Sequence, residues 1–142
     1  MEQFSVDKIK KYMNIPFKDC GRDFDGCDCG GLVWLIYKTE LGIELPKWND
    51  LYQSTQYSNS LEIEQVLTSM LGENGIEVPL SQIKPFDVLS IRIGKAEMHV
   101  GLVIDKNRFI HIVEGEKVLC ERINSVKYKH RITGAFRHAS RT

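Results

Sequence analysis

A chain of 142 residues has the length of one domain, 1–142, and such a domain buries roughly 70% of its unfolded surface without staples. Lysine plus arginine equals aspartate plus glutamate at 19 each, which argues against general nucleic-acid binding, and no apolar run reaches the length of a membrane span. Four cysteines are too few for a disulfide scaffold. The charge is uneven. Residues 39–77 lean acidic and the tail from Lys127 to Arg141 leans basic, which reads as two solvated faces.

The opening stretch, MEQFSVDKIKKYMNIPF, has no apolar segment long enough for a signal peptide. Synthesis in the cytoplasm, and no use of the general secretory route, are therefore expected. Ser5 is placed to cap a short helix with Val6, Ile9 and Met13 on one side, closed by Pro16. Residues 16–27 read as a loop. A second helix is predicted from Asp28 to Gly42. Its apolar residues, Leu32 to Tyr37, surround the axis, as in a buried central helix. A connection over 43–58 leads to a third helix, opened by Asn59 and Glu62 and closed at Gly72 and Gly75. After Pro85 the texture changes to short branched and aromatic segments: DVLSIRI, MHVGLVI, RFIHIVE, KVLCER and ITGAFRH. These read as antiparallel strands, and helices followed by a sheet make an α+β domain.

The chemistry gathers on one thiol and two imidazoles. Cys29 falls in the first turn of the second helix, where about half a positive charge and unpaired N–H groups favour a thiolate and could hold an oxyanion. Gly30 and Gly31 each cost about 1 kcal/mol in a helix, and close approach of a substrate backbone would give them a purpose. Asp28 is assigned to capping, and Cys27, outside the helix, to packing. Of the four histidines, His130 and His138 lie in the basic tail, with a solvated role expected. His99 and His111 interrupt alternating apolar patterns on consecutive strands. They share a face only if the loop between the strands has an odd number of residues. A three-residue loop, Asp105 to Asn107, pairs Gly101 with His111 and sets His99 diagonal to His111. Gly101 would then leave room for the ring of His111. The roles follow as nucleophile (Cys29), base (His99) and orienting residue (His111).

At these residues the sequence resembles the NlpC/P60 family of papain-like cysteine peptidases. DCGGLV matches the family's nucleophile run, HVGLVI its histidine strand and FIH the third polar residue. KPFDVLSI looks like the Pro-Gly-Asp-Leu run leading into its first strand, and ITGAFRH like its last. The similarity runs from Ile15 to His138, and the segment from Ile15 to Pro46 is nearest to versions in phage tail proteins. The resemblance implies a papain-like fold with N-terminal helices packed on a C-terminal antiparallel sheet. It also implies hydrolysis of peptide bonds in bacterial peptidoglycan stems through a thioester, and Cys29, His99 and His111 carry over as the triad. Phe17, Asp28 and Gly30 are candidate substrate-binding residues. Phe17 stands where relatives often have tyrosine, and Gly30 where they often have serine. No cofactor, metal, nucleic acid or membrane is expected. A virion location, with other tail proteins as partners, follows from the same likeness. Three other readings stay open: a structural tail protein without activity, acyl transfer on the same thiol, and a zinc module built from Cys20, Cys27, Cys29 and a histidine.

Overall fold

The computed structural model describes residues 3–45, 75–93 and 97–141. The predicted connection beyond residue 45 and the third helix lie outside the described residues.

Ser5 opens α1 (Val6–Lys10), its hydroxyl accepting the Lys8 N–H at 3.4 Å. The helix stops well before Pro16. The Tyr12 N–H turns back to the Ile9 carbonyl at 3.0 Å, a tight turn that swings Tyr12 fully into the core. The segment read as a loop contains a small hairpin, β1 (Arg22–Asp23) with β2 (Gly26–Cys27). Asp23 seals it by accepting the Asp25 N–H at 2.9 Å, a local side-chain turn that periodicity cannot reveal in so short a piece.

The second helix runs where the sequence puts it. Asp28 caps α2 (Cys29–Ile36), and every residue from Gly30 to Ile36 is buried. The last turn widens into a π-helical stretch, Tyr37–Leu41, which Gly42 closes at φ 66°. That stretch sets the Tyr37 hydroxyl on the Phe86 carbonyl at 2.6 Å and brings Glu40 to Lys11 at 2.8 Å and to the Tyr12 hydroxyl. Glu40, counted with the solvated acidic face, is thus half-buried and paired.

The sheet comprises β3 (Ile76–Val78), β4 (Val88–Ile93), β5 (Glu97–Val103), β6 (Arg108–His111), β7 (Leu119–Arg122) and β8 (Ile132–Arg137). Their order is β3-β8-β4-β5-β6-β7, antiparallel throughout. β3 is the strand that sequence reading missed. Its three residues run into Pro79, and it exists because it pairs with β8 from Ile76↔Arg137 to Val78↔Ala135. Arg137, assigned to the solvated tail, instead holds the buried Asp87 in a two-pronged ion pair at 2.8 and 2.9 Å.

The sheet separates two apolar clusters. On one face Val88, Val100, Leu102 and Ile110 pack with Leu32, Val33 and Ile36 of α2. On the other, Leu89, Ile91, Val103 and Phe109 pack with Tyr128 and Ile132. The β5–β6 hairpin has the odd register. Val103 pairs with Phe109, Leu102 pairs with Ile110, and the Ile104 N–H meets the Arg108 carbonyl at 2.9 Å. Asp105 pins the loop by accepting the N–H groups of Asn107 and Arg108 at 2.9 and 3.0 Å. Gly101 has a different purpose from the expected one. A Cβ there would come within 2.9 Å of the Phe109 ring and 3.2 Å of Ile91, so Phe109 is the ring it admits, not His111.

Candidate active site

The start of α2 is tied on both sides. One Asp28 carboxylate oxygen accepts the Gly31 N–H at 2.7 Å and the other accepts the Cys20 N–H at 3.1 Å. The half-buried Cys29 follows this cap, and three nearby backbone N–H groups, those of Val100, Gly30 and Cys29 itself, favour its thiolate. The Val100 N–H belongs to the peptide that joins His99 to Val100, so the sulfur lies against the backbone of the first histidine.

Strand alternation explains why that N–H is available. Val103 gives its N–H to Asp87 on the β4 side, whereas Ile104 gives its own toward β6. By the two-residue period Val100 also faces β6. The β5–β6 pairing stops at Leu102↔Ile110, and Val100, whose N–H favours the Cys29 thiolate, lies just past that point.

The thiol is not ionised by its position, contrary to the expectation for a helix start. Burial pushes the Cys29 thiol up to about 12, and the neighbouring Asp28 carboxylate pushes the same way. The three N–H groups pull it down but lose. A helix terminus contributes about 0.3–2 kcal/mol, less than the several kcal/mol that desolvating a charge costs.

The two imidazoles meet as the register requires. Nε2 of His99 lies 2.8 Å from Nδ1 of His111, the rings nearly edge to face. Both are buried, His111 completely. Burial, with the positive charge of His111 adding to it, drives His99 down to about 3, and burial likewise lowers His111. Burial thus favours the neutral form of both rings. With Nε2 of His99 engaged by its partner, Nδ1 is the nitrogen left for a thiol proton.

Sequence reasoning missed a fourth member. On β7, Glu121 pairs opposite Phe109 while Leu119 pairs opposite His111. Glu121 is thus the diagonal neighbour of His111 on the same face, and its Oε2 lies 3.4 Å from His111 Nε2. KVLCER carries no motif, and the one available signal was an acidic residue at an inward strand position, visible only once the register is known.

The remaining candidates divide. Phe17 is half-buried against the α2-side core, with its N–H on the Glu116 carbonyl at 3.0 Å. Gly30 is buried, and its N–H favours the Cys29 thiolate. Asp28 is 5% exposed, both its oxygens hold backbone, and its role is the cap. Gly31 serves packing, because a Cβ there would fall 1.8 Å from the Gly21 carbonyl oxygen. The proposed zinc ligands do not converge. The Cys27 thiol donates to the Asp23 carbonyl at 3.2 Å, and Cys29 faces amides. Among the described residues, Cys20 instead groups with the carboxylates of Asp19 and Asp28, within 4.8 Å of one another. His130 is exposed as expected, whereas His138 is half-buried, with Nδ1 2.8 Å from the Ser140 hydroxyl.

Comparison with known proteins decides the family. The NlpC/P60 family pattern matches residues 14–137. The chain belongs to the NlpC/P60 family. Over 137 residues it is 25% identical to the murein DD-endopeptidase MepS/murein LD-carboxypeptidase of Escherichia coli strain K12, covering 96% of this chain and 63% of that protein. It is 28% identical over 132 residues to the gamma-DL-glutamyl hydrolase of Bacillus subtilis strain 168, covering 91% and 27%. The chain thus spans less than two thirds of the length of these curated relatives. Its fold matches the NlpC/p60 domain of the peptidoglycan hydrolase SagA at a TM-score of 0.62, with 21% identity and 92% of each chain covered. It also matches NlpC2 from Trichomonas vaginalis at 0.65, with 20% identity and coverage of 93% and 45%. One local departure from the NlpC/P60 pattern has a geometric meaning. Phe86 occupies the glycine position of the Pro-Gly-Asp run at φ 74°, a left-handed conformation that glycine adopts without strain. Its fully buried ring, stacked on Phe4 at 4.9 Å, offsets that strain.

Proposed function

We propose that this NlpC/P60 domain is a cysteine peptidase that cuts amide bonds in the stem peptides of bacterial peptidoglycan, with Cys29 as nucleophile, His99 as base and His111 as orienting residue. The observation that carries the reading is the His99–His111 contact of 2.8 Å, set beside the peptide against which the Cys29 sulfur lies. The Escherichia coli relative, a murein endopeptidase and carboxypeptidase, and the Bacillus subtilis relative, a gamma-DL-glutamyl hydrolase, support the substrate class.

Burial favours the neutral thiol and imidazoles, so proton transfer accompanies attack. Nδ1 of His99 takes the thiol proton as the sulfur bonds to the scissile carbonyl carbon. The oxyanion develops near the N–H groups of Cys29 and Gly30 at the positive end of α2. Collapse breaks the C–N bond, the leaving amine takes the proton from His99, and a thioester remains. Water attacks the thioester, giving its proton to His99, and the thiol is restored on release of the acid. We further propose synthesis in the bacterial cytoplasm and, on the likeness of residues 15–46 to phage tail versions, a place in a virion tail among other tail proteins. Mass spectrometry of purified particles tests that location.

Incubation with muropeptides, products read by mass spectrometry, tests the chemistry. Wild-type protein is expected to release stem fragments and Cys29→Ala none. His99→Ala should slow release by about 10²–10⁴-fold. Equal product from wild type and Cys29→Ala would remove the mechanism.

A further inference from the structure

The imidazole pair is useful only in one proton arrangement. His99 must present a bare Nδ1 to the thiol, so its Nε2 must carry the hydrogen and His111 Nδ1 must accept it. Nothing in the two rings alone enforces this. Reversed, with His111 Nδ1–H donating to His99 Nε2, the pair makes an equally good bond, and His99 then offers Nδ1–H, which cannot take a proton.

We propose that Glu121 is a positioning residue that selects the productive arrangement by holding the hydrogen of His111 on Nε2. A carboxylate accepts hydrogen bonds and cannot donate them. Its Oε2, 3.4 Å from His111 Nε2, therefore calls for an N–H at that atom. Neutral His111 then has a bare Nδ1, which at 2.8 Å calls for the hydrogen on His99 Nε2. One carboxylate thus orders two rings, through a diagonal stripe of His99, His111 and Glu121 on β5, β6 and β7.

The surroundings leave His111 little alternative. Among the described residues, Phe109 and Tyr128 flank its ring at 4.8 and 5.2 Å, and its polar partners are His99 and Glu121. Burial raises the titration of the Tyr128 hydroxyl, and Glu121 lies close enough to raise it further. Among the described residues, Lys127, whose ammonium lies 5.3 Å from the Tyr128 ring, and Arg131, near Tyr128, are cations on this side. Holding the tautomer affects the chemical step rather than binding.

This inference rests on the peptidase reading, but half of its test does not. Imidazole nitrogen NMR on the full chain carrying Cys29→Ala should show His111 with hydrogen on Nε2 and a bare Nδ1, and Glu121→Leu in that background should shift it toward the other tautomer. In the active protein, Glu121→Leu should lower kcat on muropeptides by about 10- to 100-fold, the value of one hydrogen bond to a charge, with KM within about twofold. Glu121→Gln, which keeps an acceptor oxygen, should hold the tautomer and recover most of kcat. His111 found with hydrogen on Nδ1, or an unchanged kcat in Glu121→Leu, would overturn the proposal. So would loss of kcat in Glu121→Gln with the tautomer intact, because charge alone would then explain it. A wild-type protein inert toward muropeptides would refute the peptidase reading, while the NMR result would still decide the tautomer.

Discussion

At the scale of single residues, the first turn of α2 shows how packing and reactivity are coupled. Gly31 has no room for a methyl group. The Gly21 carbonyl oxygen would lie 1.8 Å from it, and a backbone carbonyl cannot step aside as a flexible side chain can. Gly31→Ala is expected to destabilise the protein by about 1–3 kcal/mol, the usual cost of overpacking, measured by urea unfolding. Asp28 beside it affects the thiol through its charge. Its carboxylate is the second cause, after burial, of the raised Cys29 value. Asp28→Asn keeps an acceptor for the helix start and removes the charge. The thiol should then ionise at lower pH, seen as a downward shift in the pH profile of iodoacetamide alkylation of Cys29. An upward shift or none would contradict the electrostatic account.

At the scale of elements, the hairpin of β5 and β6 decides whether the site exists. Its three-residue loop places His99 and His111 on one face, and Asp105 holds that loop with bonds of 2.9 and 3.0 Å. Deleting Lys106 would leave a two-residue loop. Unless the pairing slips to compensate, every side chain of β6 then moves to the other face, carrying His111 toward α2 and Ile110 away from it. Activity is expected to fall at least as far as in His111→Ala, with product release as the readout. Activity equal to wild type would show that the strands reach their register without the loop. The interrupted β5–β6 pairing matters equally, because the N–H at Val100 favours the Cys29 thiolate there.

At the scale of the whole molecule, the buried neutral groups set the pH range of the fold. His99 titrates near its ordinary 6.5 when unfolded and near 3 when folded. A folded value below the unfolded one means the unfolded chain binds the extra proton. Stability is therefore complete above about pH 6.5 and is lost as pH falls toward about 3. The slope from one such group is ~1.4 kcal/mol per pH unit, and His111 moves the same way. The thiols act oppositely. Cys27 and Cys29 rise from an ordinary 9.0 to about 12, so stability is lost as pH climbs from about 9 toward 12. Urea unfolding from pH 4 to 8 should show the acid loss, and His99→Gln should flatten it. An unchanged slope in that variant would mean that His99 is not the buried neutral group.

The sequence by itself determined the order of helices and sheet, the capped start of α2 and the odd register that sets His99 beside His111. Each of these depends on near neighbours: a cap before a helix, a period of two along a strand, a glycine at a turn. The similarity from Ile15 to His138 agrees with the family match over 14–137 for the same reason, because motifs are local. Only the tertiary structure decided what the local signals do to one another. It gave Gly101 to Phe109, Gly31 to the Gly21 carbonyl and Arg137 to Asp87. It also raised the thiol that a helix start alone would lower, because burial depends on what packs over a group and the helix charge does not. Glu121 became legible only with the register, since a diagonal contact across strands has no fixed spacing in the chain.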